Sequence, residues 1–338
     1  MGFLDRFKGR PAVDPETAKR DAARREESLR NLTAGGLPVN AIERLNEQRS
    51  RQGTEKHFFT SNLSANEFGL IRHDGYSPLG QVMGSSVYHV GWGWNRGNWS
   101  NSSLWGGGAS YELAALTDAF RNARSLALTR LAQEAALLGA TGVVGVRLTK
   151  KQHDWGDDLL EFAAIGTAIR ETNLTVAPAG APSLFLSDLS GQDYWMLRRA
   201  GFRPVGIAAG NCTYYQIPTW STQRAMGGGM FSSWQNMELP DYTQALYQAR
   251  ELAMDRLTRE ALAVDGTGIV GVSTEVLAEP VEVDVGNNAH RTDMMYHFTA
   301  IGTVIAPAPV GGMGLPISTV VPMDDRVVES VLSDLSTT

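Results

Sequence analysis

Gly142-Val-Val-Gly145-Val146 returns 126 residues later as Gly268-Ile-Val-Gly271-Val272. Working outward from that pair, the same offset holds back through the chain. Glu134-Ala135 pairs with Glu260-Ala261, Arg130-Leu131 with Arg256-Leu257, and Ala123-Arg124 with Ala249-Arg250. Gly84 and Tyr88 return as Gly210 and Tyr214. Gly75-Tyr-Ser-Pro78-Leu-Gly80 returns as Gly201-Phe-Arg-Pro204-Val-Gly206, and Phe59-Thr-Ser-Asn-Leu63-Ser64 as Phe185-Leu-Ser-Asp-Leu189-Ser190. Beyond the first pair, Ala164-Ile-Gly-Thr167 returns as Ala300-Ile-Gly-Thr303 at an offset of 136, so the second repeat carries about ten extra residues there. A fixed period of this length marks a duplicated unit.

Each repeat predicts the same order of elements, opening on an extended entry near Phe59 and Phe185. Ser64-Ala-Asn-Glu67 and Ser190-Gly-Gln-Asp193 place a hydroxyl at a helix N-cap with a carboxylate three residues on, Asp being a shorter form of the usual Glu. Gly75 and Gly201 end that short helix, where a left-handed residue costs little. A strand follows over 78–90 and 204–217, then a Gly- and Trp-rich loop, then a long helix. Leu116, Phe120, Ala123, Ala127, Leu131, Ala135 and Leu138 recur at three- and four-residue steps. Tyr242, Leu246, Ala249, Ala253, Leu257, Ala261 and Val264 repeat the stripe, which predicts one apolar helix face on a sheet, held close by its central alanines. Gly139 and Gly266 are the expected helix ends. Strand pairs 142–148 with 159–169 and 268–276 with 294–305 complete a small antiparallel sheet, with in-strand glycines marking bulges or close backbone approach.

The 338 residues match a prior of roughly two domains at about 150 residues each. The expected organisation is a charged helical arm over 1–53, domains over 54–175 and 183–307, and a Pro/Gly-rich linker with a short helix over 308–338. Arm helices are expected over 14–32 and 38–49, and a terminal helix over 323–335. A formal net charge of −6 argues against nucleic acid as a partner. Cys212 is the single cysteine, which rules out an intrachain disulfide or a multi-cysteine zinc site. No apolar run approaches the ~18 residues needed to span a bilayer, and the N-terminus lacks the apolar core of a secretory signal. A cytoplasmic location is expected.

Gly107-Gly108 with Tyr111-Glu112, Ala123-Arg124, Leu131, Glu134-Ala135, Leu138-Gly139-Ala140, Val143-Val144-Gly145-Val146 and Gly166-Thr167-Ala168 together resemble the YbjQ-like family, labelled as heavy-metal-binding. The second repeat resembles it more loosely, with Asp265-Gly266 in place of the Leu-Gly-Ala helix end. The resemblance covers about 55–175 and 183–307. It implies an α/β (α+β) chain of two tandem dodecin-like domains, each a long helix on a small antiparallel sheet. It further implies assembly into pentameric rings.

Several residues stand out as candidates. Trp92, Trp94, Trp99 and Trp105, with Trp220 and Trp234 in the second repeat, are costly to expose and suit a subunit or partner contact. A ligand platform and a loop folded on its own core are the alternatives. The neighbouring glycines match neither a dinucleotide fingerprint nor a P-loop. His290, Asp293 and His297 near the second hairpin are the metal candidates. Alternation places Asp293 and His297 on one strand face and His290 on the other, and solvated loop-edge residues are the plainer reading. His153, Asp154, Asp157, Asp158 and Glu161 read as a polar hairpin tip. Met226, Met230 and Met237 offer soft thioethers at irregular spacing. Arg130 and Glu134 read as an i, i+4 pair. Arg124 lies beside the apolar stripe, where it can reach a carboxylate across an interface, as can Arg250. Phe3, Leu4 and Phe7 share a helical face with basic neighbours, a docking segment within residues 1–10 for a protein or a membrane surface.

These readings predict a non-enzymatic oligomeric assembly or scaffold protein whose main partner is itself. No acid, base and nucleophile converge, and no cofactor is predicted. A metal- or small-ligand-binding protein is the alternative, with a divalent metal as its ligand.

Overall fold

A computed structural model describes residues 15–54, 58–89, 108–152, 159–172, 184–226, 236–284 and 290–308. Two arm helices, α1 (Pro15–Thr33) and α2 (Val39–Ser50), come first. The first repeat holds α3 (Ala65–His73), β1 (Tyr76–His89), β2 (Ala109–Glu112), α4 (Ala114–Leu137), β3 (Gly142–Gln152) and β4 (Leu159–Glu171). The second holds β5 (Phe185–Leu186), α5 (Gly191–Arg199), β6 (Phe202–Ile217), α6 (Trp220–Met226), α7 (Pro240–Leu262), β7 (Gly268–Asp284) and β8 (His290–Pro307). The helix layer on a small sheet recurs, as the repeat predicts.

The sheets depart from the sequence expectation in one respect. Their orders are β1-β4-β3-β5 and β2-β6-β8-β7. Each therefore ends on a strand lent by the other repeat. β5 pairs with β3 in parallel, through Gly142↔Phe185 and Val143↔Leu186, so the first sheet is mixed rather than antiparallel. β2 pairs antiparallel with β6, from Ala109↔Ile217 to Glu112↔Tyr214. The extended entry expected near Phe185 is β5, but neither short strand is long enough for its partner sheet to be read from sequence.

Local chemistry explains the rest. Ser64 and Glu67 close a full capping box. Ser190 caps the Asp193 amide, but its own amide donates no return bond to the shorter Asp193 side chain, which accepts from the Ser190 hydroxyl instead. Gly145 and Gly271 take φ of 62° and 67° at matching register shifts in β3 and β7, which only glycine adopts cheaply. The second long helix ends differently from expectation: Asp265, at φ 56°, holds the left-handed position that Gly139 holds in the first, and Gly266 is not left-handed. The extra residues of the second repeat lengthen its hairpin, with β7 and β8 at 17 and 18 residues against 11 and 13 for β3 and β4.

The cores form where α4 meets β1 and where α7 meets β6. Ala123, Ala127, Leu131 and Ala135 are fully buried on one side, and Ala249, Ala253 and Leu257 on the other. The arm is packed rather than loose: Leu37 and Leu45 join the core of Leu79, Val82, Leu131, Ala135 and Leu138. No helix among the described residues is long and apolar enough to cross a membrane. Phe3, Leu4, Phe7, Trp92, Trp94, Trp99, Trp105, Trp234, Met230, His153, Asp154, Asp157 and Asp158 lie outside the described residues, as does the helix expected over 323–335.

Candidate functional site

The densest polar arrangement lies where the two repeats meet. The buried Arg124 of α4 donates from Nη1 to Asn211 Oδ1 and from Nη2 to the Ala209 carbonyl and to Glu260 Oε1, each at 3.0 Å. Glu260 Oε2 accepts the Ala209 amide at 2.9 Å, so one carboxylate ties α7 to β6 and to Arg124 together. Near the start of α4, Thr117 Oγ1 accepts the Thr213 amide and the Thr117 carbonyl accepts Asn211 Nδ2, both at 2.9 Å. Leu113 donates its amide to the Thr213 carbonyl at 2.8 Å. Arg256 donates from Nη2 to Glu112 Oε2 at 2.8 Å and from Nη1 to the Asn211 carbonyl at 2.9 Å, with Nη1 also 2.7 Å from Glu112 Oε1.

A second strip of the junction runs along the edge of β3. Ser187 donates to the Val143 carbonyl at 2.9 Å, Gly145 to Leu189 at 2.8 Å and Val146 to Ser187 at 3.0 Å. Gly191, at the start of α5, donates to Glu67 Oε1 at 3.1 Å. Phe185 stacks on Tyr194, whose ring meets Tyr76 edge-on.

Charge follows these contacts. Burial pushes the Glu112 carboxyl up, but the Arg256 guanidinium and the Thr117 hydroxyl outweigh it and hold it below the usual carboxylate range. Burial likewise raises Glu67, and the Ser64 and Gly191 hydrogen bonds bring it net below that range. Burial and the nearby Glu112 charge push the Cys212 thiol up to about 12, which leaves it protonated and unreactive at neutral pH.

The predicted i, i+4 pairing of Arg130 with Glu134 does not form. Arg130 instead donates to the carbonyls of Ser85, Leu32 and Gly36. Glu134 accepts from the Met83 amide and from Arg44 of α2. Each arginine finds a carbonyl or carboxylate on another element, where an intrahelical pair would leave that group unmet. Arg250 is exposed and pairs with its neighbour Glu251. Trp220 is exposed at the start of α6, beside Arg224 and Met237 in a shallow groove.

The metal candidates are not brought together. Asp293 is fully buried, held by both Nε and Nη2 of Arg291 at 2.6 and 2.9 Å and by the Tyr215 hydroxyl at 2.7 Å. His297 is also buried. Its Nδ1 lies 3.0 Å from Thr213 Oγ1, and its Nε2 lies 3.8 Å from Glu279, an ion-pair distance too long for a hydrogen bond. Asp293 and His297 share a strand face, but four residues of strand separate them by about 13 Å. His290 is exposed at the start of β8. Asp293 and His297 are therefore buried strand residues and not solvated loop-edge ones. Among the described residues no three His, Cys, Asp or Glu side chains converge on a point that would hold a metal.

Sequence reasoning missed Glu112, Thr117 and Asn211. A usable signal was present for two of them: Glu112 and Thr117 recur 126 residues on as Glu238 and Thr243.

Residues 76–172 match a family model described as "Putative heavy-metal-binding", of the YbjQ type. Encapsulin nanocompartment protein Rv1762c of Mycobacterium tuberculosis is 40% identical over 271 residues, which cover 79% of this chain and 92% of that relative. The chain belongs to the family of that protein. No solved structure matches. The aligned length of 271 residues is far longer than the single YbjQ-type match, so this family's likeness extends well beyond one such domain.

Proposed function

We propose that this chain is a non-catalytic, self-assembling structural protein of a nanocompartment system. The likeness to Rv1762c across 92% of that relative carries the reading, since its name places it with an encapsulin nanocompartment. The junction between the repeats supports it, because its side chains are spent on joining one α/β unit to another. In the finer form of the proposal, five chains contribute ten repeats to a ring in the cytoplasm, and residues 1–10 dock a partner protein or a membrane surface. Several weak docking segments on one ring would add by avidity. Native mass spectrometry of the purified full chain tests this. A species at five times 36.6 kDa is expected. A different chain number would remove the ring of five, and a lone monomer would remove the assembly role.

A further inference from the structure

Two faces of the chain are open where their counterparts in the other repeat are closed. In β6, Ala209 and Thr213 are each 1% exposed, closed in where β2 and α4 lie. Their equivalents in β1, Met83 and Val87, are 49% and 64% exposed. In β3, Val146 is 4% exposed beside residues 187–189, whereas its equivalent in β7, Val272, is 41% exposed. One open face belongs to the first repeat and the other to the second, and they correspond to the two sides of the internal junction.

From this pseudo-symmetry we infer that chains join head to tail, the second repeat of one chain docking on the first repeat of the next through a copy of the internal junction. The proposal deepens the self-assembly reading and rests on it. The residues that make the internal junction recur on the open faces. Glu112, Leu113, Thr117 and Arg124 return as Glu238, Leu239, Thr243 and Arg250. Their receivers Arg256 and Glu260 correspond to Arg130 and Glu134, which the arm helices keep buried in the single chain. In the junction between chains, Arg250 takes the Glu134 carboxylate and the Met83 carbonyl, Glu238 takes Arg130, and Thr243 and Leu239 bond the backbone of Val87.

The second strip transfers in the same way. Val143 pairs in parallel with Leu186 inside the chain, so Ile269 of one chain pairs with Thr60 of the next. The lead-in segment already has the right shape: Phe59 stacks on Phe68 as Phe185 stacks on Tyr194. Ser61 and the Asn62 amide contact Thr167 as Ser187 and the Asp188 amide contact Thr303. Residues 58–60 form no strand within the chain. Arg44 and the carbonyls of Leu32 and Gly36 hold Glu134 and Arg130 in the single chain, and docking exchanges these partners for Arg250 and Glu238. Repetition of such a heterologous contact closes a ring when its rotation divides a full turn.

The test is a cysteine pair in the full chain, Thr60→Cys with Ile269→Cys. Neighbouring strands bring such pairs within disulfide reach, and the native Cys212 is buried. Mild oxidation is expected to give a ladder of covalent multimers above the dimer on denaturing gels, reversed by reductant and absent from either single variant. Arg250→Glu changes an exposed side chain, so circular dichroism should stay as in the parent while the oligomer fraction at micromolar protein falls at least tenfold. If light scattering shows an oligomer but the pair gives no ladder and Arg250→Glu leaves the oligomer intact, this junction is overturned and the assembly reading survives. If the parent chain is a monomer, both fall.

Discussion

Gly84 and Gly210 set how closely each long helix lies on its sheet. A Cβ on Gly84 would sit 2.0 Å from the Ala127 carbonyl oxygen, and one on Gly210 would sit 1.8 Å from that of Ala253. Backbone stands on the far side, so nothing flexible can yield. Gly84→Ala is expected to cost about 1–3 kcal/mol, the range for overpacked cores, and to lower the urea midpoint. Gly206→Ala is the control: nothing lies within 4 Å of its Cβ and its φ is not left-handed, so the midpoint should barely move. Equal effects of the two would contradict the packing account. Arg124 is the second residue on which much depends. Its removal strands Asn211, the Ala209 carbonyl and Glu260. A fully buried pair broken this way costs ~3–5 kcal/mol. Glu260 is still 40% exposed, so about 2 kcal/mol is expected for Arg124→Ala, read by denaturant titration. The reach of Arg124 toward a carboxylate was legible from its place beside the apolar stripe. Its partner was not, because Glu260 lies 136 residues away and reads equally well as a member of its own helix.

Among the elements, the helices, the long strands and the extended entry at Phe185 were legible, and the exchange of β2 and β5 between the sheets was not. The alanine stripes of α4 and α7 fix both helices, since the period of 3.6 is sustained over 24 and 23 residues. β2 spans four residues and β5 two, too short for any period to appear. Their pairing is a tertiary event: each completes a sheet edge that the other repeat leaves open. The buried state of Asp293 was likewise illegible, because Tyr215, which hydrogen-bonds it, belongs to a different strand. The junction these elements form should respond to acid. Glu112 and Glu67 both sit below the usual carboxylate range in the folded chain. A carboxylate so depressed contributes stability that is complete above its unfolded pKa and is lost as pH falls through its folded one. The repeats are therefore expected to loosen from one another as pH drops below the ordinary Glu range. Hydrogen exchange should show β2, β5 and the first turn of α5 losing protection before the centres of α4 and α7. Simultaneous loss across all of them would contradict a junction held by these two carboxylates.

At the scale of the whole molecule, duplication leaves an unequal pair of ends. The first repeat shields the lead-in strand and sheet edge of the second, while Met83 and Val87 of β1 and Val272 of β7, at the corresponding positions, remain exposed to solvent. Unsheltered sheet edges are liabilities that folded proteins usually cover or pair, and exposed Met83, Val87, Val272, Val276 and Leu277 add apolar surface to those ends. The 126-residue offset was legible in the sequence, but the inequality of the ends was not, since it appears only when burial is compared position by position. Self-association is the arrangement that covers both ends at once. Its most direct measurement is the mass of the full chain by multi-angle light scattering across a micromolar concentration series. A defined species at a multiple of 36.6 kDa is expected. A single species that stays at 36.6 kDa throughout the series would contradict it.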